Sequence, residues 1–150
     1  MNKFSRLTAI MLVIILAALF AACGPKAAPF DADAAFEKLL SEVKYAQTLE
    51  DASGYVEYTI GELPEGTEAK VYTAGGKYAD CAMLFKVKDA ADLDAVETAV
   101  RGYLDSIKDE ANHYDPEQVP KIEKAIVMRN GTSLIVCVTD DLEAANAILR

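Results

Sequence analysis

The sequence predicts an α+β fold, in the element order α-β-β-α-β-β-α, with a four-stranded, mainly antiparallel sheet and helices packed on one face. Three observations lead there. One pair of apolar segments flanks Ala74-Gly75-Gly76-Lys77 and a second flanks Asn130-Gly131, each in the manner of a β-hairpin. Between the pairs lies a stretch whose apolar residues recur every three or four positions, as on one face of a helix. A ferredoxin-like split sheet is the alternative arrangement that the same order permits.

The elements follow in turn. Asp31 and Asp33 are candidate N-caps of a first helix carrying Phe36, Leu39, Leu40 and Val43 at helical spacing. Residues 55–60, Tyr-Val-Glu-Tyr-Thr-Ile, alternate as a strand does, and Leu63-Pro64-Glu65-Gly66 then breaks the pattern with a turn signature. Residues 67–73 and 79–88 read as the first hairpin, with Cys81, Met83, Phe85 and Val87 on one face of the second strand. Asp89 opens the strongest helix, whose apolar stripe is Leu93, Val96, Val100, Tyr103, Ile107 and Ala111. Asp92 sits in its first turn, where the helix dipole favours an acid. Asp115-Pro116-Glu117-Gln118 combines an N-cap, a proline at the first helical position and a glutamine, and Pro120 is expected to stop that turn. The second hairpin pairs residues 122–129 with 132–139 across Asn130-Gly131, which suits a type I′ turn. Asp140-Asp141 caps a last helix bearing Leu142, Ala145, Ile148 and Leu149.

The amino-terminal segment speaks about location. Lys3 and Arg6 precede an uncharged, almost wholly apolar run at 7–20, too short to span a hydrocarbon core of ~30 Å comfortably. Small residues follow it. Residues 1–22 therefore read as a signal peptide. Phe20-Ala21-Ala22-Cys23 resembles the bacterial lipobox, which implies cleavage between Ala22 and Cys23 and a covalent diacylglycerol, with further acyl lipid such as palmitate, on Cys23. Two or more chains anchor where one cannot. Residues 23–33 then form the acylated cysteine and a short tether, and residues 34–150 a single domain. The expected location is the extracytoplasmic face of the cell membrane.

Composition narrows the function. The 150 residues carry 15 Lys+Arg against 24 Asp+Glu, a formal net charge of −9. A leader holding Lys3 and Arg6 and no acid leaves the remainder more acidic still. Nucleic acid is not an expected partner, because neutralising phosphates needs a basic face. One His, no Trp and three Cys leave little for imidazole catalysis or a multi-ligand zinc site.

Residues 82–89, the helix after them, residues 114–121 (Tyr-Asp-Pro-Glu-Gln-Val-Pro-Lys) and residues 135–141 (Ile-Val-Cys-Val-Thr-Asp-Asp) resemble the DUF4358 family, a domain of unknown function found on small lipoproteins of Gram-positive bacteria. The resemblance covers about residues 34–150 and is sharpest from 79 to 141. It implies a cell-envelope location and brings no activity or site residues.

No grouping of side chains marks a catalytic site. His113 lies between a helix end and Asp115, where it is placed to bond a terminal carbonyl. No G-x-S-x-G elbow is present, and Gly75-Gly76-Lys77 lacks the P-loop spacing. Asp31/Asp33, Asp89/Asp92/Asp94 and Asp140/Asp141 stand at helix starts, where capping accounts for them, so no metal and no cofactor is expected. Tyr55, Tyr58, Tyr72 and Tyr78 fall close together in sequence and form the candidate binding face, since each ring offers an apolar surface and a polar tip. The expected function is a non-catalytic binding module for an envelope protein, peptide or glycan. The alternative is a small carboxylate-based enzyme or metal-handling lipoprotein. Cys81 and Cys137 are expected to be two reduced core thiols; a bridge would require them to sit opposite each other on neighbouring antiparallel strands.

Overall fold

A computed structural model describes residues 29–150, and the unit Asp31–Arg150 holds every element below. The segment expected to be a leader, the expected Ala22–Cys23 cleavage point and most of the expected tether lie outside the described residues.

Helix α1 (Ala32–Glu42) starts where Asp31 accepts the Ala34 amide at 3.0 Å, and it buries Ala35, Phe36 and Leu39. Strand β1 (Glu50–Asp51), a 3-10 turn (Ser53–Tyr55) and the short helix α2 (Val56–Thr59) come next. Strands β2 (Glu68–Thr73) and β3 (Cys81–Lys86) follow, then α3 (Leu93–Tyr114), a 3-10 turn (Pro116–Gln118) and α4 (Val119–Glu123). Strands β4 (Ile126–Asn130) and β5 (Ser133–Val138) and helix α5 (Leu142–Ile148) complete the chain. The fold is α+β, and the sheet runs β1-β2-β3-β5-β4 with every neighbouring pair antiparallel. Strands β3 and β4, joined through α3 and α4, run parallel to each other with β5 between them, so the split β-α-β arrangement of the ferredoxin-like alternative is present in this part of the antiparallel sheet.

Several sequence expectations are corrected. The sheet has five strands, because the two residues of β1 add an edge beside β2. The segment 55–60 is helical. Val56 and Ile60, four apart, point into the core together, and that spacing outweighs the alternation. Pro120 does not stop the turn after Asp115; it occupies the first turn of α4, where its missing N–H costs nothing. The second hairpin turns one residue later than expected. Asn130 pairs with Ser133, so Gly131 and Thr132 are the central residues, and only Gly131 has a positive φ (58°). Positive φ on the first central residue alone is the pattern of a type II′ turn.

Helices cover both faces of the sheet rather than one. Cys81, Met83 and Phe85 of β3 and Leu134, Val136 and Val138 of β5 pack with Leu93, Val96 and Val100 of α3. The alternate residues, Ala82 and Leu84 of β3 and Ile135 and Cys137 of β5, are also buried, on the face that α1 covers with α5 beside it. This parity separates the cysteines. Strands β3 and β5 are antiparallel neighbours, yet Cys81 pairs with Val138 and Cys137 with Ala82. The two thiols point to opposite faces, and both are free and buried.

Candidate functional site

The site forms where the β2–β3 loop meets the C-terminal half of α3. Gly75 and Gly76 carry the loop through φ of 70° and 60°, which an L side chain resists. Three side chains hold the loop in place. The Gln47 amide donates to the Ala74 carbonyl, the Ala79 N–H donates to Gln118 Oε1 at 3.2 Å, and the Lys77 ammonium lies 3.5 Å from Glu117. Beside it opens a cleft of about 220 Å³, lined by Tyr78 from the loop, by Tyr103, Ile107, Glu110 and Ala111 from α3, and by Asp80, Asp115, Gln118, Ala52 and Thr59.

Charge in the cleft is unevenly compensated. Asp80, 1% exposed, takes the Ala46 N–H at 3.2 Å and the Lys121 ammonium at 2.7 Å; Asp140 approaches the same ammonium at 2.9 Å. Burial alone pulls the Lys121 pKa down, but the two carboxylates outweigh it and hold the amine charged. Glu110 and Asp115 have no Lys or Arg within ion-pair distance among the described residues. The phenol of Tyr103 is pushed above its usual range by burial, with the Cys81 thiol and the Glu110 carboxylate adding to the effect.

The structure disperses the four tyrosines singled out in the sequence. Tyr78 lines the cleft, with the Lys77 ammonium 5.5 Å from its ring centroid. Tyr55 and Tyr58 are exposed on the outer side of the segment that flanks the cleft, at 69% and 94%. Tyr72 does not join them: it lies on the opposite face of the sheet, edge-on to Phe36 at 5.9 Å. Tyr103 takes part instead. Sequence reading placed it in the apolar stripe of α3, and its helical spacing gave no other signal. Gln118, equally unmarked as a lining residue, had only its neighbourhood to Pro116 to draw notice.

His113 Nδ1 lies 2.7 Å from the Asp109 carbonyl, a local bond one helical turn back. Among the described residues no three His, Cys, Asp or Glu side chains gather as a metal site would require. No described helix is long and apolar enough to cross a membrane.

No curated protein and no solved structure matches the chain. One family does. Strands β2 to β5, helices α3 and α4, and most of the cleft lie within residues 66–139, and over that span the chain matches the family described as Domain of unknown function (DUF4358), to which its sequence resemblance pointed.

Proposed function

We propose that the protein is a lipid-anchored, extracytoplasmic, non-catalytic binding module that takes its ligand in the cleft between the β2–β3 loop and α3. The observation that carries this reading is the position of the cleft relative to the start of the domain. Asp33, at the start of α1, binds Lys70 at 3.0 Å and Lys86 at 2.9 Å, beside the end of the sheet where Glu68 pairs with Lys86. The cleft lies at the other end, beyond the Thr73–Cys81 pair. Strand β2 spans ~17 Å between them. A tether entering at Asp31 from an acylated Cys23 thus leaves the cleft on the end of the domain away from the attachment point, open to an envelope protein, peptide or glycan. Two tyrosine rings beside polar groups suit such a ligand.

The test is site-specific photocrosslinking in living cells, with p-benzoylphenylalanine at Tyr78 and, as control, at Lys38 on the exposed side of α1. An adduct obtained at position 78 and missing at 38 is expected. Equal labelling at both, or none at 78, would remove the cleft from consideration.

A further inference from the structure

We propose that the open edge of β4 takes up an extended segment of another polypeptide as an added strand, with one apolar side chain of that segment seated in the groove between β4 and α3. The groove shares no lining residue with the cleft, and the inference goes beyond the binding reading above.

Strand β4 forms one edge of the sheet, with β5 as its neighbour on the inner side. The bond from the Val87 N–H to the Thr132 carbonyl, 2.9 Å long, sets the alternation along β5. Thr132, Leu134, Val136 and Val138 turn their backbone groups to β3, and Ser133, Ile135 and Cys137 turn theirs to β4. Ile126, Met128 and Asn130, opposite those three, therefore spend their N–H and C=O groups inside the sheet. Val127 and Arg129 direct theirs outward, and among the described residues no hydrogen bond takes them up. Two donors and two acceptors thus stand in a row at the repeat of a β-ladder. The ligand that engages all of them together is another extended backbone.

Sheet edges are ordinarily shielded by brevity, proline, bulges or charge. The opposite edge follows that rule. Strand β1 has two residues, and beyond it Ala52 bonds the Val71 carbonyl at 2.8 Å while Ser53 Oγ takes the Val71 N–H at 2.9 Å. Strand β4 does not follow it. It has five residues, pairs with β5 without a bulge, and leaves Ile126, Val127 and Met128 half-buried. The guanidinium of Arg129 is drawn back onto α3 by Asp94 at 2.6 Å and by Glu97. Beside this edge lies a groove of about 450 Å³, with Leu104 of α3, Ile122 of α4, Ala125 and Val127 as its apolar lining. A strand added ~4.8 Å beyond β4 points every second side chain to the α3 face. The side chain opposite Val127 enters the groove, so the backbone supplies affinity and the groove selectivity.

Charge selects the occupant. A second copy paired through β4 about a two-fold axis would bring together two chains of net charge −9, which repel. The rim of the groove is itself balanced, with Arg101 and Lys108 against Asp105 and Glu123, so the charge of the whole chain decides. A basic segment is drawn to an acidic protein, and an acidic one is turned away. The occupant is thus a segment of a different polypeptide, with alternating apolar residues and flanking Lys or Arg.

The experiment titrates the full chain in detergent micelles with three peptides, following amide chemical shifts and amide hydrogen exchange. The first probe is acetyl-Lys-Thr-Val-Thr-Leu-Thr-Lys-amide, the second has Glu for both Lys, and the third has Pro for Val and Leu. In the free chain the unbonded amides of Val127 and Arg129 should exchange fast, and those of Met128 and Asn130 slowly. The first peptide is expected to bind saturably and to slow exchange at Val127 and Arg129 about tenfold or more, the second to bind more weakly, and the third not to bind. Val127→Pro removes an outward N–H and no sheet bond, and should weaken the first peptide about tenfold with circular dichroism unchanged. If that variant unfolds, the alternating exchange pattern of the parent decides. Binding that leaves Val127 and Arg129 unprotected, equal binding of the proline peptide, or no binding of the first peptide at about 1 mM overturns the proposal. Slow exchange at both residues without peptide, in a chain that sediments as a dimer, overturns it in favour of a second copy. Glu-flanked peptide bound as tightly as Lys-flanked overturns the preference for a basic segment.

Discussion

Lys121 shows how one buried charge organises distant segments. Its side chain is 4% exposed, and an ammonium taken out of water costs several kcal/mol unless carboxylates replace the lost solvent. Asp80 precedes β3, Asp140 follows β5, and Ala46 of the α1–β1 connection donates to Asp80, so one cation ties together four parts of the chain. Removing the cation leaves Asp80 charged and enclosed. Lys121→Met should therefore lower unfolding free energy by about 3–5 kcal/mol, read from urea denaturation. Asp80→Asn with Lys121→Met should recover much of that loss, because the uncompensated charge is gone. The cysteines illustrate the opposite case of inert burial. Cys137 is pushed up to about 11 by burial, against a weak pull down from the Tyr45 hydroxyl at 3.6 Å, and its thiol is a packing group.

At the scale of elements, α1 is fastened by its first turn. The Lys86 and then the Lys70 ammonium hold the Asp33 carboxyl below its ordinary 3.8. A carboxyl whose folded pKa is depressed adds stability above its unfolded value and loses it as pH falls through the folded one. Asp33→Asn should thus be less stable than the parent at pH 6, by no more than ~1 kcal/mol since the group is half-exposed. The gap should close below about pH 4, as a pair of denaturation series against pH would show. The second hairpin makes a different claim on one residue. Gly131, with φ at 58°, leads the turn, and Gly131→Ala should cost about 1 kcal/mol in thermal or urea unfolding. Asn130→Ala should cost less, because Asn130 has no positive φ to maintain.

Double coverage of the sheet was written in the strands themselves. Residues 81–85, Cys-Ala-Met-Leu-Phe, and 134–138, Leu-Ile-Val-Cys-Val, are apolar without interruption. An unbroken apolar run belongs to a strand buried on both faces, whereas alternation marks one face in water. The alternate set Cys81, Met83, Phe85 and Val87 describes only one of the two buried faces. The segment 55–60 misled for a related reason: over six residues, an i, i+4 apolar pair and a period of two coincide at Val56, Tyr58 and Ile60.

For the whole molecule, the anchor is the property to test first. Cys23→Ser should yield an unlipidated precursor, since serine offers no thiol to the transferase. Mass spectrometry of the native amino terminus should find a diacylated Cys23 as first residue, and an unmodified Cys23 or a different cut would end the lipoprotein reading. The whole chain's net charge of −9, more negative still without Lys3 and Arg6, gives no electrostatic attraction to an anionic bilayer, so the lipid would have to supply the attachment.

The sequence by itself determined the α+β class, the two local hairpins and the helices α1, α3 and α5. Caps, turns and apolar periodicity act between residues a few positions apart, and neighbours in sequence are enough to reveal them. Tertiary structure alone decided which helix covers which face, that Cys81 and Cys137 look away from each other, and that Tyr103 and Gln118 line one cleft with Tyr78 while Tyr72 turns to Phe36. Those outcomes depend on strand register and on the seating of α3 against a loop some thirty residues earlier. A one-residue change of register exchanges the faces of a strand, and no local pattern around a tyrosine or a glutamine records which distant residue it will touch.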